Sequence, residues 1–390
     1  MKSIFRKSVA LLTAIGLLIP LFGRSAFAAG KSAGNQFIDA RERSISGGAN
    51  GISDDPFSAL QWNLKAIGME EAWRSGLTGK GAVVAIVDSG LSAATQDIDS
   101  SRILPGKNCV GGVGVTDTIG HGTFIAGIIG ATKDNRVGIA GIAPGVTLVP
   151  IKSYASAETD FAAQAAGIYA AVDQYHCDIL NISAGDPEIV PEVQAAIQHA
   201  LDAGVIVIAA AGNSGNEELV YPASYDGVIS VSSVGRDLVL SATSNRNDHV
   251  FVVAPGVGVY SLGRLPGTVT LSSGSSFAAP VVAGVAALLK EAWPQMTPED
   301  FKEILKASCK DLSTEGYDIY YGWGLVQVPD AIRAAAAYFG DEAPDMSAPD
   351  DPGSSSAGFF SWLRELFRSI IHNIFKVWDR NSIPVIVKEK

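Results

Sequence analysis

Residues 178–211 read DILNISAGDPEIVPEVQAAIQHALDAGVIVIAAA. The segment Asp178–Ile182 is a short apolar run that reads as a strand. A helix is expected over Pro191–Ala203, with Pro191 in the first turn, where a missing N–H costs nothing. Val205–Ala210 is then apolar without a break. Alternation would mean one wet face; an unbroken run means a strand buried on both faces. Strand, helix, buried strand is the unit of a parallel sheet.

The same unit recurs on either side. Ala82–Val87, Val146–Ile151, Val228–Val234 and Phe251–Val253 read as strands. Phe161–Tyr175 is Ala-rich at helical spacing, His121–Gly130 is a helix start after a glycine-rich loop, and Ser276–Ala292 is an apolar helix. Thr297-Pro298-Glu299-Asp300 carries an N-cap hydroxyl, Pro in the first turn and acids beside it, a helix start. The predicted fold is α/β: a doubly wound, mostly parallel sheet with helices on both faces, joined by right-handed crossovers.

The 390 residues are 47% apolar and only 18% charged, which indicates a well-filled interior. Lys2, Arg6 and Lys7, an apolar run from Val9 to Phe22, and Ala26-Phe27-Ala28 predict a signal peptide over 1–28. Residues 29–54 are a Gly/Ser-rich flexible lead-in, 55–340 the main domain and 341–358 an acidic Pro/Ser linker. Residues 359–380 form an amphipathic helix whose apolar face carries Phe359, Leu363, Phe367, Ile370 and Trp378. That helix serves either to dock on a membrane surface or a protein, or to fold back on the main domain.

Losing Lys2, Arg6, Lys7 and Arg24 with the signal takes the net charge from −11 to −15. An acidic secreted or cell-surface monomer is the expectation. Nucleic acid is excluded as a partner, because it needs a basic footprint. Cys109, Cys177 and Cys309 lack metal-ligand spacing, so zinc is not expected. They are either one disulfide plus a thiol or, the preferred reading, three buried thiols.

Three segments carry chemistry. Val84-Ala85-Ile86-Val87-Asp88-Ser89-Gly90 puts a carboxylate at the carboxyl end of a buried strand, where open α/β sheets bind ligands. Alone, that acid could equally bind a metal or cap a turn. Gly120-His121-Gly122-Thr123 sets an imidazole between glycines that admit close backbone approach. Gly274-Ser275-Ser276-Phe277-Ala278-Ala279-Pro280 opens the apolar helix with a hydroxyl, an ordinary N-cap or a nucleophile in the helix's positive field.

Together, in the order Asp, His, Ser, these segments resemble the signature segments of the subtilisin-like serine proteases. Ala209-Ala210-Ala211-Gly212-Asn213 resembles the family's oxyanion-hole segment, and the likeness runs from about Asp55 to Tyr338. The resemblance implies a serine endopeptidase. Ser276 would be the nucleophile, His121 the base, Asp88 the group that orients it, and Asn213 an oxyanion donor. It implies a peptide or protein substrate pairing with Ser183, Ala184 and Gly185, beside a first specificity pocket near Val220 and Pro222. Asp97, Asn135 and the carbonyls of Val137 and Ile139 match the family's structural calcium site, so this loop is either a calcium site or a solvated loop, and no cofactor for catalysis is implied. An acyl transferase, a maturation protease for one partner, and a non-catalytic peptide-binding module are the rival readings.

Departures from the family pattern are informative. Ser275 stands where Thr is usual, and Phe124 where His is usual. The stretch 29–54 is shorter than the family's folding prodomain, implying unaided folding or help from the C-terminal segment. Val220 stands where the pocket floor often has Gly, which predicts a shallow pocket preferring small residues.

Overall fold

The computed structural model describes residues 37–39, 52–92, 96–156 and 159–347. The signal peptide, most of the lead-in, most of the linker and the helix expected at 359–380 lie outside the described residues. The strands are β1 (Phe37–Asp39), β2 (Val83–Asp88), β3 (Lys107–Asn108), β4 (Thr147–Lys152) and β5 (Ile179–Ile182). They continue with β6 (Ile206–Ala210), β7 (Ile229–Val234), β8 (Val250–Pro255), β9 (Val259–Leu262) and β10 (Thr268–Ser272). The helices are α1 (Trp62–Ala66), α2 (Met69–Ala72), α3 (His121–Gly130) and α4 (Phe161–Asp173). After them come α5 (Pro191–Asp202), α6 (Ser275–Ala292), α7 (Pro298–Ser308) and α8 (Val328–Phe339).

Seven strands form one parallel sheet in the order β3-β4-β2-β5-β6-β7-β8. The register pairs Val84 with Leu148 on one side and with Ile179 on the other. One face carries Ala85, Val87, Leu180 and Val207, packed against Ile168 and Ala171 of α4 and Val193 and Ile197 of α5. The other face meets α3 and α6. Both faces are therefore covered, which is why the strand sequences are unbroken rather than alternating. Burying an aliphatic side chain of this kind contributes about 1.5–3 kcal/mol. Thr297 and Asp300 exchange hydrogen bonds as a capping box at the start of α7, with Pro298 in its first turn, as the sequence predicts.

A second sheet was not anticipated: β1-β10-β9, antiparallel. Its β1 lies inside the stretch expected to be a flexible lead-in, and pairs Phe37 with Thr270. The pairing partner is far away in the chain, so no local pattern announces it. All three cysteines are free thiols, and burial raises the pKa of each, that of Cys177 to about 12.

Candidate active site

The chain passes from β2 to β4 on one side and later to β5 on the other. Strand order thus reverses at β2, and the crevice opens at the carboxyl ends of these strands. Asp88 is the last residue of β2 and is completely buried. Its Oδ1 accepts the Ser89 N–H at 2.7 Å and the Tyr154 hydroxyl at 2.8 Å. The His121 Nδ1 lies 2.9 Å from Oδ1 and 3.0 Å from Oδ2. That geometry selects the tautomer with the proton on Nδ1 and leaves Nε2 as the basic nitrogen.

His121 opens α3, and the glycines around it are steric necessities. Gly120 has φ of +104°. A Cβ on Gly122 would sit 2.2 Å from the Gly90 carbonyl oxygen, so only glycine lets α3 abut the end of β2. The cap Gly120 has no side chain to offer, and buried Asp117 substitutes for one. Its carboxylate accepts the N–H groups of Ile119, Gly120 and Thr123 at 2.9, 2.7 and 2.9 Å. Burial opposes a charged imidazole here. The Asp88 charge and hydrogen bond, with the Asp117 charge behind them, outweigh it and hold the His121 pKa above the ordinary histidine value.

Ser276 stands in the first turn of α6, after Gly274 at φ +151°. Pro280 lies four residues on and has no N–H to donate, so the Ser276 carbonyl is released from the helix ladder. Ser183 takes it up. The Ser183 Oγ donates to the Ser276 carbonyl at 2.9 Å, while the Ser276 Oγ donates to the Ser183 carbonyl at 3.1 Å. The expected line of hydrogen bonds is therefore complete from Asp88 to His121 but not from His121 to Ser276, whose hydroxyl is engaged by Ser183. The two halves still adjoin. The His121 ring packs on Phe277, the residue after Ser276, with centroids 5.3 Å apart, and Phe124 packs on the same ring at 4.5 Å.

Asn213 lies beside them. Its Oδ1 accepts the Ser275 N–H at 2.8 Å and the Ser275 hydroxyl at 3.0 Å. With Oδ1 fixed in this way, Nδ2 has no hydrogen bond among the described residues and is left as a donor. The Ser that replaces Thr at 275 thus keeps the hydroxyl that matters here.

Ser183, Ala184 and Gly185 follow the end of β5 and lead into the Asp186–Tyr221 bridge. The backbone groups of Gly185 have no hydrogen-bond partner among the described residues, leaving an edge able to pair. Val220 precedes the cis Tyr221–Pro222 bond and is 1% exposed. Its two methyl groups sit between the segments that follow β5 and β6: a Cβ on Gly185 or Gly212 would come within 2.8 or 2.9 Å of them.

The four residues expected to bind calcium are also neighbours. Asn135 Nδ2 donates to Asp97 Oδ1 at 2.9 Å, and the Ile139 N–H to Asp97 Oδ2 at 2.8 Å. Asp55, missed from sequence, accepts the N–H groups of Asp134, Asn135 and Arg136 from the same loop. Burial, with the Asp55 charge adding to it, pushes Asp97 up to about 8. Ile139 is wholly buried, yet its carbonyl has no hydrogen-bond partner among the described residues. Two buried acids and an orphaned carbonyl fit a hard cation that takes oxygen ligands. The Oδ1 of Asn135 accepts the Val137 N–H at 2.7 Å, so an ion here would share this oxygen, like those of Asp97 and Asp55, with hydrogen bonds already in place.

The Subtilase family profile matches residues 79–324. The chain belongs to the subtilase family. It is a subtilisin-like serine endopeptidase by class, with the family's seven-stranded α/β fold. It is 35% identical over 298 residues to Minor extracellular protease Epr of Bacillus subtilis (strain 168), spanning 75% of this chain but 45% of that relative. It is 39% identical over 251 residues to Major intracellular serine protease of the same organism, spanning 59% of this chain and 75% of the relative. A solved protease from Pseudoalteromonas arctica PAMC 21717 superposes with a TM-score of 0.67 at 28% identity, over 73% of this chain and all of the other.

Asp117, Asp55 and Tyr154 escaped the sequence reading. Asp117 stands three residues before the helix cap, a spacing that could have flagged it as a capping acid. Asp55 and Tyr154 carry no such mark, because they reach the site through tertiary contacts.

Proposed function

We propose that this subtilase is an exported endopeptidase that cleaves peptide bonds through an acyl-enzyme formed on Ser276. The observation that carries the reading is the buried Asp88–His121 pair, adjoining a serine at the start of α6 and an asparagine whose amide nitrogen has no hydrogen bond among the described residues. Substrate entry would displace the Ser276 hydroxyl from the Ser183 carbonyl toward His121 Nε2. The imidazole then takes the hydroxyl proton as Oγ attacks the scissile carbonyl, and returns it to the leaving amine. Asp88 keeps the ring in its tautomer and stabilises the cation. Asn213 Nδ2 and the Ser276 N–H receive the oxyanion. The substrate backbone adds along Ser183–Gly185. Rapid mixing with a p-nitrophenyl ester should give a burst near one equivalent per chain, followed by a slower steady rate. A linear trace without a burst, in a chain that also leaves peptides uncut, would refute an acyl-enzyme.

Val220 supports a preference for small residues before the cut bond. Relative to wild type, Val220→Gly should shift kcat/KM toward Phe or Leu at that position by roughly 10–100-fold. A wild-type peptide-library profile already dominated by Phe or Leu would refute the shallow pocket.

Export is supported by the N-terminal pattern and by a relative named as extracellular, against another named as intracellular. Protein recovered outside the cell should begin at Ala29. We also propose that Asp97, Asn135 and the carbonyls of Val137 and Ile139, with Asp55 beside them, hold a structural calcium ion. Adding calcium to chelator-treated Ser276→Ala protein should release heat on binding and raise its Tm, and Asp97→Asn should abolish both responses. Absence of any calcium response in the Ser276→Ala protein would refute the site.

A further inference from the structure

Asp88 has one more partner than its role requires. The Tyr154 hydroxyl approaches Oδ1 at 2.8 Å and the His121 Nδ1 at 3.0 Å, so it touches both members of the pair. Oδ1 thereby takes the Ser89 N–H and the phenol besides its contact with His121 Nδ1, and Oδ2 has His121 as its one hydrogen-bond partner among the described residues. Tyr154 comes from the segment after β4, the strand beside β2. Asp88 is in register with Lys152, and Tyr154 is two residues further on. The charged groups facing the imidazole are Asp88 from β2 and Asp117 from the loop before α3. Lys152, at the end of β4, is turned away to the Thr116 carbonyl.

We propose that Tyr154 is a positioning residue for the reaction, fixing the imidazole against Asp88 and moderating its basicity; this rests on the reading of Asp88, His121 and Ser276 given above. Nδ1 carries its proton toward the carboxylate, so the single phenolic proton goes to Oδ1. A hydrogen bond donated to a buried carboxylate is charge-assisted and strong. It draws charge from the group that stabilises the imidazolium, and so weakens that stabilisation. Contact at Nδ1 also restrains ring rotation, which keeps Nε2 aimed into the crevice. Burial first, and the Asp88 charge second, hold the phenol well above its ordinary pKa, so it remains a neutral donor throughout the working range.

The test is Tyr154→Phe, which keeps the ring and removes the hydroxyl. The acid limb of the kcat/KM profile should move upward by about half a pH unit, since Asp88 then holds the imidazolium more tightly. The plateau kcat should fall by roughly 3–30-fold with KM unchanged, as for lost orientation of a catalytic group. In the Ser276→Ala background, the downfield Nδ1–H proton resonance of His121 should shift. An unchanged profile, kcat and resonance would overturn the proposal. If Tyr154→Phe does not fold, Ser276→Ala with Tyr154 in place carries the test. There the Tyr154 hydroxyl proton should exchange slowly and show a cross-peak to the His121 Nδ1–H; a freely exchanging hydroxyl would overturn the proposal. Wild type that fails to take a fluorophosphonate on Ser276 would instead sink the underlying reading, and that outcome is distinct from an unaltered Tyr154→Phe.

Discussion

The two halves of the crevice are built differently. Around Asp88 and the Nδ1 of His121, the polar atoms are already engaged, by Ser89, Tyr154 and each other. Around Ser276 and Asn213, the groups are held by fewer contacts: the hydroxyl rests on a carbonyl, and the amide nitrogen has no hydrogen bond among the described residues. In the proposed mechanism the base side is finished before substrate arrives, and the nucleophile side is finished by it. A finished half costs no reorganisation at the moment of reaction. The unfinished half keeps its donors available for the atoms that develop charge.

If this contrast is right, changes on the two sides should fail in different ways. Ser276→Ala should lower kcat by about six orders of magnitude, leaving only the residual rate from binding and the oxyanion donors. Recovery of most activity in that variant would remove the nucleophile from the account. Asp88→Asn should cost about 10⁴-fold in kcat near neutral pH, because the carboxamide stabilises the wrong tautomer. Asn213→Ala should cost about 10²–10³-fold in kcat with little change in KM, since its amide acts on the transition state. A loss confined to KM would instead make Asn213 a substrate-binding residue.

The smallest effect expected is on pH dependence. With His121 as the proposed base, the reaction needs its neutral form, and its pKa is raised, so kcat/KM should still be climbing at pH values where an ordinary histidine has already lost its proton. The stability contribution has the opposite sign. The protonated pair stabilises the fold below the unfolded histidine pKa of about 6.5, and that contribution is lost as pH rises through the folded value. An acid limb well below the ordinary histidine range would contradict the environment described for His121.

The strands of the parallel sheet were legible because two-sided burial writes itself as unbroken apolar sequence, as in Val205–Ala210. The antiparallel sheet was not, because β9 and β10 are short and half polar, and β1 pairs with a distant segment, Phe37 with Thr270. Within the site, the glycines around His121 and before Ser276 marked their positions, since only glycine fits there. Pro280 sat in the quoted motif, but its effect on the Ser276 carbonyl needed the helix register. Tyr154 was invisible for another reason. It acts through the pairing of β4 with β2, and nothing in the residues around it states that register.

Fluorophosphonate labelling followed by peptide mapping tests the central claim most directly. One adduct on Ser276 is predicted, absent in Ser276→Ala and formed far more slowly in His121→Ala. A folded chain that takes no adduct, or takes it on another residue, would contradict the account.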